Sequence, residues 1–285
     1  MFSVKVNATS ANLCVGFDVL GLALDIQNVF TFEKANDFEF VGFEKKYCVK
    51  ENNLVYFSYA KVFEKLNKEI IPVRIGFSGD IPVSRGLGSS SSLIVGGVFA
   101  ANYILGNPLS KRECFDICAE IEGHPDNVAP AIFGGLVASY KVDDKFYPNI
   151  YEVSEKLKFI TVIPPFELST EEARKVLPKE LPYKDIVNNL SRIVNIPRAF
   201  QNGDLELINN LFVDKLHEPY RGPLIKGFDE IKKLCNSKGV VCAISGSGST
   251  MLLISYDYEI LNDLKKFDYE VRTPNVGLGV LIEEE

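Results

Sequence analysis

The segment from Pro82 to Ser92 constrains this chain more than any other, because it combines two glycines with four consecutive serines. Before it, apolar residues alternate with other residues at Val73, Ile75 and Phe77, which predicts a β-strand. After it, the apolar run from Leu93 to Leu105 is shorter than the ~20 residues needed to cross a bilayer and predicts a buried helix. The order of strand, glycine loop and helix places the loop at a helix N-terminus.

Such a loop is suited to binding phosphate. Glycine lets backbone N–H groups approach an anion without a Cβ in the way, and the helix N-terminus adds unsatisfied donors and a positive dipole end. Serine hydroxyls donate to phosphate oxygens or ligate Mg2+. The alternative is a glycine turn in which Ser89 only caps the helix. The chain has no Gly-Lys dipeptide and therefore no Walker A loop, and Ser91 occupies the last position of a would-be GxGxxG motif.

The composition describes a globular chain without a nucleic-acid-binding surface. Its 285 residues favour two lobes or one large α/β domain, and 46% hydrophobic with 24% charged residues are globular values. The net charge of -7 and the scattered lysines argue against nucleic acid as a partner, because binding a duplex needs a clustered basic face. A few placed arginines could still bind an anionic ligand.

Cysteines and the N-terminal pattern predict a cytoplasmic protein. The six cysteines include no CxxC pair and are expected to be reduced, and with only two histidines a zinc site is not expected. Phe2, Val4 and Val6 alternate with polar residues, which predicts a strand rather than a signal peptide, followed by a turn-prone loop from Asn7 to Gly16. We therefore predict neither export nor a membrane partner.

A charged stretch from Lys141 to Lys145, followed by Pro148, is the best candidate for a lobe boundary. It divides the chain into an N-terminal lobe over 1–147, which contains the candidate phosphate loop, and a C-terminal lobe over 148–285. In the first lobe, helical spacing predicts a helix over 54–66. In the second, a capping box at Ser169 and Glu172 starts a helix, and the remaining pattern predicts an α+β lobe with strands over 159–163 and 240–244 and helices over 183–200, 205–216 and 223–237.

Segments spread from Val6 to about Leu253 resemble the homoserine kinase family within the GHMP superfamily of small-molecule kinases. Pro82 to Ser92 is similar to the superfamily's ATP loop, and Ser245 to Thr250 is similar to its C-terminal glycine loop, although alone the latter would be read as a hairpin turn. The segments that resemble homoserine kinases in particular are Asn7 to Asp25, Gly123 to Gly135, Ser169 to Pro178 and Leu216 to Leu224.

The resemblance implies an α+β, two-lobed GHMP kinase fold, with an N-terminal lobe like ribosomal protein S5 domain 2 and a ferredoxin-like C-terminal lobe. It implies a transferase that uses ATP and Mg2+ to phosphorylate the side-chain hydroxyl of L-homoserine, giving O-phospho-L-homoserine in threonine biosynthesis. The expected partner is this small molecule, and a homodimer is compatible with the sequence.

The resemblance also assigns the substrate-binding residues. Homoserine is a zwitterion, so its site must supply an acid or amide for the ammonium group and arginines for the carboxylate. By their positions in the family motifs, Asn12 and Asp18 are expected to hold the ammonium group, and Arg174 and Arg221 the carboxylate. Without the resemblance, these charges would be read as an ordinary loop acid and solvated arginines.

The catalytic candidates are Asn127, His124 and Asp126. Asn127 matches the family residue beside the reacting hydroxyl, and His124 lies in the same turn, where it could equally be a structural donor. Asp126 occupies the place of a catalytic aspartate in the mevalonate kinase branch, whereas homoserine kinases are usually described as lacking a clear base.

The nucleotide and metal ligands are expected in the two glycine loops. Mg2+ is assigned to Ser90 and a glutamate of the helix before His124, where register leaves Glu120 and Glu122 as alternatives. The residues expected to contact ATP are Pro82, Val83, Ser84, Arg85, Gly86, Leu87, Gly88, Ser89, Ser90, Ser91, Ser92, Gly246 and Gly248.

Three rival functions remain to be distinguished. Another GHMP kinase would act on mevalonate or a sugar, but the two arginines with Asp18 favour an amino acid. A catalytically silent ligand-binding protein would have kept the fold without turnover. A serine hydrolase is disfavoured because the chain lacks a GxSxG elbow.

Overall fold

The first strand begins as predicted in a computed structural model that describes residues 1–284, but it continues further than expected. The predicted loop from Asn7 is wrong up to Ala11, because these residues pair with the next strand after a register shift between Asn7 and Ala8. Ala8, Thr9 and Ser10 are fully buried, so leaving their backbone groups unpaired would be costly. The turn therefore starts only at Asn12.

Eleven strands form two sheets in the described chain. The larger sheet has the order β11-β1-β2-β4-β3, with β5 paired to β2 and β6 to β5; the smaller has the order β10-β7-β9-β8. All pairs are antiparallel except β3 with β4. The strands are β1 (Phe2–Ala11), β2 (Leu20–Lys34), β3 (Glu39–Val41), β4 (Val73–Gly79), β5 (Leu136–Val142), β6 (Lys145–Tyr151), β7 (Lys158–Ile163), β8 (Val241–Ile244), β9 (Met251–Ser255), β10 (Glu270–Arg272) and β11 (Leu281–Glu284).

Eleven α-helices cover these sheets within residues 1–284. They are α1 (Leu54–Lys65), α2 (Ser89–Ile104), α3 (Lys111–Glu122), α4 (Pro125–Phe133), α5 (Thr170–Lys175), α6 (Tyr183–Ile193), α7 (Ile196–Asn202), α8 (Leu205–Leu211), α9 (Glu218–Arg221), α10 (Phe228–Ser237) and α11 (Leu261–Leu264). No helix of this described part combines the length and the apolar character that a membrane span requires.

Helices α1 to α4 pack on the larger sheet, where Phe30, Phe32 and Ile94 belong to one buried cluster. In the smaller sheet, alternate residues face opposite sides: Ile160 packs in the cluster that includes α10, whereas Phe159 packs in the cluster that includes α7 and α8. This last cluster also contains residues of β1 and β2, so the two sheets share a core. The cleft described below lies where they meet.

Several predicted boundaries shift. The helix predicted over 183–200 is split into α6 and α7 at Val194 and Asn195, because Pro197 has no N–H to donate to the carbonyl of Ile193. The helix predicted over 205–216 ends at Leu211, and the one predicted over 223–237 begins at Phe228. The stretch from Lys141 to Lys145, predicted to be irregular, is the turn of the β5–β6 hairpin. The division of the chain at 147/148 stays a prediction.

Candidate functional site

A cleft of about 630 Å³ lies between the glycine loop of the larger sheet and the loop that joins β8 to β9. The predicted residues that line it are Asn12, Val83, Ser84, Arg85, Gly86, Gly88, Ser89, Ser90, Ser91, Glu122, His124, Asn127, Arg174, Arg221 and Gly246. Those that do not are Asp18, Pro82, Leu87, Ser92, Glu120, Asp126 and Gly248. Most of the predicted site therefore converges on one cavity.

Two hydrogen bonds to backbone carbonyls hold the glycine loop against the Ser245 to Thr250 loop, which confirms the expected proximity of the two. Ser245 Oγ donates to the carbonyl of Gly86 at 2.7 Å, and the N–H of Thr250 donates to the carbonyl of Arg85 at 3.1 Å. Gly86 has φ +75°, and a Cβ at this position would lie 2.1 Å from the carbonyl oxygen of Ser245. Only glycine fits there without moving the backbone.

Gly88 brings the start of α2 against the catalytic candidate Asn127. A Cβ on Gly88 would lie 2.0 Å from Thr9 Oγ1, and this hydroxyl donates to Asn127 Oδ1 at 2.7 Å. The contact orients the amide of Asn127, because its oxygen is occupied by Thr9. The amide nitrogen of Asn127 therefore remains for a ligand in the cleft.

The serines after Gly88 divide into two groups. Ser89, Ser90 and Ser91 line the cleft, whereas Ser92 is fully buried. Ser92 Oγ donates to the carbonyl of Ser89 at 2.7 Å and accepts from Asn28 Nδ2 at 2.8 Å, so this hydroxyl is committed to the helix and to β2. The hydroxyl of Ser92 is thus held away from any nucleotide.

Two further loop residues face the protein. Leu87 is fully buried among apolar side chains. Arg85 turns its guanidinium to backbone carbonyls, with Nε 3.2 Å from the oxygen of Pro164 and Nη2 3.3 Å from that of Pro165. Arg85 therefore ties the loop to the residues that follow β7.

Glu122, rather than Glu120, lies beside the loop serines. Ser91 Oγ donates to Glu122 Oε1 at 2.7 Å, and Ser90 Oγ lies 3.4 Å from Oε2. Glu120 instead pairs with Lys65 at 3.3 Å, with 59% of its side chain exposed. Burial raises the pKa of the Glu122 carboxyl. Hydroxyl and carboxylate oxygens are donors that suit Mg2+, so Ser90 and Glu122 fit the metal.

His124 and Asp126 form a pair in which only the histidine reaches the cleft. His124 Nδ1 and Asp126 Oδ1 are 3.1 Å apart, and this hydrogen bond raises the pKa of His124. Asp126 is 1% exposed, and its Oδ2 has no partner among the described residues. A base that takes a proton from a ligand must come within hydrogen-bond reach of it, and Asp126 lies behind the cleft wall.

Asp18 and Arg174 bind each other. Arg174 donates from Nη2 to Asp18 Oδ1 at 2.7 Å and from Nη1 to Oδ2 at 3.1 Å, a bidentate ion pair with about a third of each side chain exposed. Asn12 Oδ1 accepts from the N–H of Asp18 at 2.9 Å, which fixes the turn between β1 and β2. The structure thus brings three of the four predicted substrate ligands together.

Arg221 is the fourth, and it is 1% exposed. Its Nε donates to the carbonyl of Ala173 at 3.1 Å and its Nη1 to that of Gly246 at 3.2 Å. Burial, followed by the positive charge of Arg174, lowers the pKa of Arg221 to about 10. Arg221 therefore remains a cation at neutral pH, and it joins α5 to the second glycine loop.

The sequence did not identify the network that holds Arg221. Asp214 Oδ2 accepts the N–H groups of His217 and Glu218, both at 2.7 Å, at the start of α9. The Glu218 carboxylate accepts from the N–H of Ile244 at 2.8 Å and pairs with Lys232 at 2.7 Å. The local signal in the sequence was Asp214, which lies shortly before Pro219 at the start of a helix.

An apolar end of the cleft was also missed. Phe43, Tyr47, Phe77, Leu93 and Ile121 line it beyond the loop serines. These residues come from four separate elements, so no sequence window contains them. Apolar and aromatic walls of this kind surround the flat parts of small ligands.

Comparisons with known proteins agree with this geometry. Models of the GHMP kinases N terminal domain and the GHMP kinases C terminal domain match residues 53–135 and 198–269. A homoserine kinase from Clostridium beijerinckii is 44% identical over 272 residues, covering 94% of this chain and 91% of the relative. A homoserine kinase from Clostridium botulinum is 44% identical over 273 residues, with the same two shares covered. The crystal structure of homoserine kinase from Cytophaga hutchinsonii superposes with a TM-score of 0.89 at 28% identity, covering 99% of this chain and 96% of that one.

Proposed function

This chain belongs to the homoserine kinase family of the GHMP kinases, and from that membership we propose how its cleft carries out the family's reaction. The chain is a small-molecule kinase that transfers a phosphoryl group from ATP to the side-chain hydroxyl of L-homoserine, giving O-phospho-L-homoserine in threonine biosynthesis. The observation that carries the assignment of residues is the meeting, in one cleft, of a glycine and serine loop with two arginines, one of which is paired with Asp18.

ATP lies with its phosphates on the glycine loop in this proposal. The N-terminus of α2 offers N–H groups behind Gly88, and the hydroxyls of Ser89 and Ser90 face the cleft. The base then occupies the apolar end near Phe43 and Tyr47. Of the loop residues predicted from sequence, the side chains of Leu87 and Ser92 take no part, because both are buried in the protein.

Ser90 and Glu122 would hold Mg2+, since hydroxyl and carboxylate oxygens suit this ion. When bound, Mg2+ would neutralise charge on the transferring phosphoryl group. Within residues 1–284 no group of three or more His, Cys, Asp and Glu side chains is arranged to hold a metal ion. Glu122 contributes a carboxylate that burial makes costly to leave unpaired.

Homoserine binds at the other end of the cleft. Its ammonium group binds Asp18 and Asn12, and its carboxylate binds Arg174 and Arg221, so the zwitterion supplies a partner for each half of the Asp18–Arg174 ion pair. Asn127 orients the reacting hydroxyl through its amide nitrogen. Phosphoryl transfer has a loose transition state, so positioning and charge neutralisation carry the reaction, and we assign no general base.

A panel of alcohols with ATP and Mg2+ tests this proposal. ADP release and the 31P spectrum of the product are measured for L-homoserine, mevalonate, galactose and L-serine at equal concentration. L-Homoserine is expected to give the highest kcat/KM and a phosphomonoester. Negligible turnover of L-homoserine beside rapid turnover of another alcohol would overturn it, and the absence of any turnover would favour a silent binding protein.

The cellular location and the oligomeric state remain proposals as well. We propose a cytoplasmic enzyme whose partner is the small molecule alone, without nucleic acid or membrane. Light scattering on purified protein distinguishes a monomer from the homodimer that the sequence allows.

A further inference from the structure

Phe17 lies within cation–π distance of both arginines that are proposed to bind the substrate. It sits in the turn between β1 and β2, and its ring centroid is 5.5 Å from Arg174 Cζ and 5.1 Å from Arg221 Cζ. The ring of His217, which immediately precedes α9, is 5.5 Å from the same centroid. One aromatic side chain therefore contacts both guanidinium groups, although they come from different helices.

Both guanidinium groups are positively charged, but they differ in whether a carboxylate is paired with them. Asp18 pairs with Arg174, whereas no carboxylate lies within ion-pair distance of Arg221 in the described chain. Arg221 donates only to two carbonyls, and its Nη2 has no acceptor among residues 1–284. The charge of Arg174 contributes to the lowered pKa of Arg221, so the repulsion between them acts in the free protein.

An aromatic ring within about 6 Å of a cation attracts it through the negative face of its π-system, and more strongly where water is excluded. A ring placed near two cations offsets part of their repulsion without neutralising either one. A carboxylate side chain in the same place would instead pair with the arginines and compete with the ligand. The aromatic side chain thus neutralises neither guanidinium group.

We propose that Phe17 is a positioning residue for the carboxylate end of the substrate, because its ring attracts both Arg174 and Arg221 without adding a carboxylate that would compete with the ligand. The inference rests on the proposed binding of homoserine and adds a determinant that acts through the two arginines. It predicts that loss of the ring weakens binding only of ligands that carry a carboxylate.

The test compares Phe17→Leu and Phe17→Tyr with the unmodified protein. Three ligands are used: L-homoserine, 4-hydroxybutyrate, which keeps the carboxylate but lacks the ammonium group, and 3-aminopropan-1-ol, which lacks the carboxylate. KM is measured for homoserine and ATP, and competitive inhibition constants are measured for the other two. Phe267→Leu is the matched control, since Phe267 is also partly buried but its ring has Lys266 as its cation neighbour rather than either arginine.

Phe17→Leu is expected to raise the homoserine KM and the inhibition constant of 4-hydroxybutyrate about tenfold, given two contacts of ordinary cation–π strength. The constant for 3-aminopropan-1-ol, the KM for ATP and kcat should stay within about twofold. Phe17→Tyr keeps a ring and should restore most of the loss, and Phe267→Leu should change none of the constants.

Equal losses for all three ligands would overturn the proposal, because they would indicate a general distortion of the cleft. So would a Phe17→Leu protein with unchanged homoserine KM, or a Phe17→Tyr protein as impaired as Phe17→Leu. Failure of the unmodified protein to phosphorylate homoserine would instead contradict the proposed function. Thermal unfolding of each variant separates a folding defect from a change in binding.

Discussion

The two ends of the cleft are built on different principles. The phosphate end is one continuous loop whose backbone is held by close contacts with the Ser245 to Thr250 loop, above all those between Gly86 and Ser245. The acceptor end is assembled from side chains of separate segments, namely the β1–β2 turn, α5 and α9. At the phosphate end the shape of the backbone is fixed. At the acceptor end, charged side chains such as Asp18 and Arg174 pair with each other.

This difference predicts how each end responds to change. At the phosphate end the backbone itself is the ligand, so steric exclusion of a Cβ should matter more than side-chain chemistry. At the acceptor end the Asp18–Arg174 pair shows that the charges can satisfy one another, so the chemistry of each side chain should decide affinity. Glu122 is the exception at the phosphate end, because it is a side chain that acts on the reacting group.

The largest effect is expected from Glu122→Gln. Removing the carboxylate beside Ser90 and Ser91 should lower kcat by roughly 100-fold to 1,000-fold, the usual cost of losing one group that stabilises transition-state charge. Steady-state kinetics over a range of Mg2+ concentrations measure it. Glu120→Gln is the control and should retain full activity, because Glu120 is exposed and bound to Lys65. Equal losses in both variants would remove Glu122 from its proposed role.

The same substitution should stabilise the fold. Burial raises the pKa of Glu122 above its value in the unfolded chain, so its contribution to stability is fully present below the ordinary value of 4.5 and is lost as pH rises through the folded-state pKa. At pH 7, Glu122→Gln should therefore raise the melting temperature by about 2 °C. A lower melting temperature at pH 7 would contradict this account.

Arg221→Gln should have the next largest effect, at the acceptor end. It removes a buried, charged donor, so the homoserine KM should rise roughly 100-fold. The ATP KM should also rise severalfold, because Nη1 of Arg221 supports the carbonyl of Gly246. Arg174→Gln is the comparison: Arg174 is partly exposed and touches no glycine loop, so we expect about a tenfold rise for homoserine and none for ATP. A larger rise in the homoserine KM or the ATP KM for Arg174→Gln than for Arg221→Gln would contradict the different roles given to the two arginines.

Gly86→Ala tests whether the fixed backbone shape of the glycine loop determines nucleotide affinity. The new Cβ would meet the carbonyl of Ser245, so affinity for a non-hydrolysable ATP analogue, measured by calorimetry, should fall about tenfold with little change in homoserine binding. Gly106 also has a positive φ of +83°, but nothing lies within 4 Å of its would-be Cβ. Gly106→Ala should cost about 1 kcal/mol of stability and leave nucleotide affinity unchanged. Similar losses of affinity in both would show that φ strain, rather than contact with Ser245, is responsible.

His124→Gln should have the smallest effect. The hydrogen bond with Asp126 raises the pKa of His124 in the folded protein. Its stabilising contribution is therefore complete below the ordinary value of 6.5 and disappears as pH rises through the folded-state pKa. The difference in melting temperature between the two proteins should be about 2 °C larger at pH 5.5 than at pH 9. A difference independent of pH would mean that the pair does not titrate in this range.

The sequence predicted the phosphate end better than the acceptor end, for a physical reason. The order of β4, glycine loop and α2 is local, so strand periodicity and glycine chemistry were sufficient to find it. The choice between Glu120 and Glu122 depended on which face of α3 turns towards α2, and helix register alone did not reveal it. At the acceptor end the resemblance identified Asp18 and Arg174, but their mutual ion pair depends on how the two sheets are placed.

Features that depend on distant packing escaped prediction altogether. The role proposed for Phe17 could not be predicted from the sequence, because only the fold brings the guanidinium groups of α5 and α9 to its ring. Asp214 and Glu218 act through backbone groups of other elements, which leave no periodic signal. The strand β1 exceeded its predicted length because pairing with β2 and burial outweighed the turn preference of polar residues such as Asn7 and Ser10.

The pairing of β11 with β1 bears on how the chain is made. Lys5 pairs with Glu283 at 2.6 Å, and Phe2 is the register partner of Glu284, so two strands far apart in the sequence are neighbours. During synthesis this edge of β1 stays unpaired until β11 has emerged from the ribosome. An unpaired strand edge invites association with other chains. Loss of a few residues from this last strand should therefore cost yield through aggregation during expression, far more than it alters the cleft.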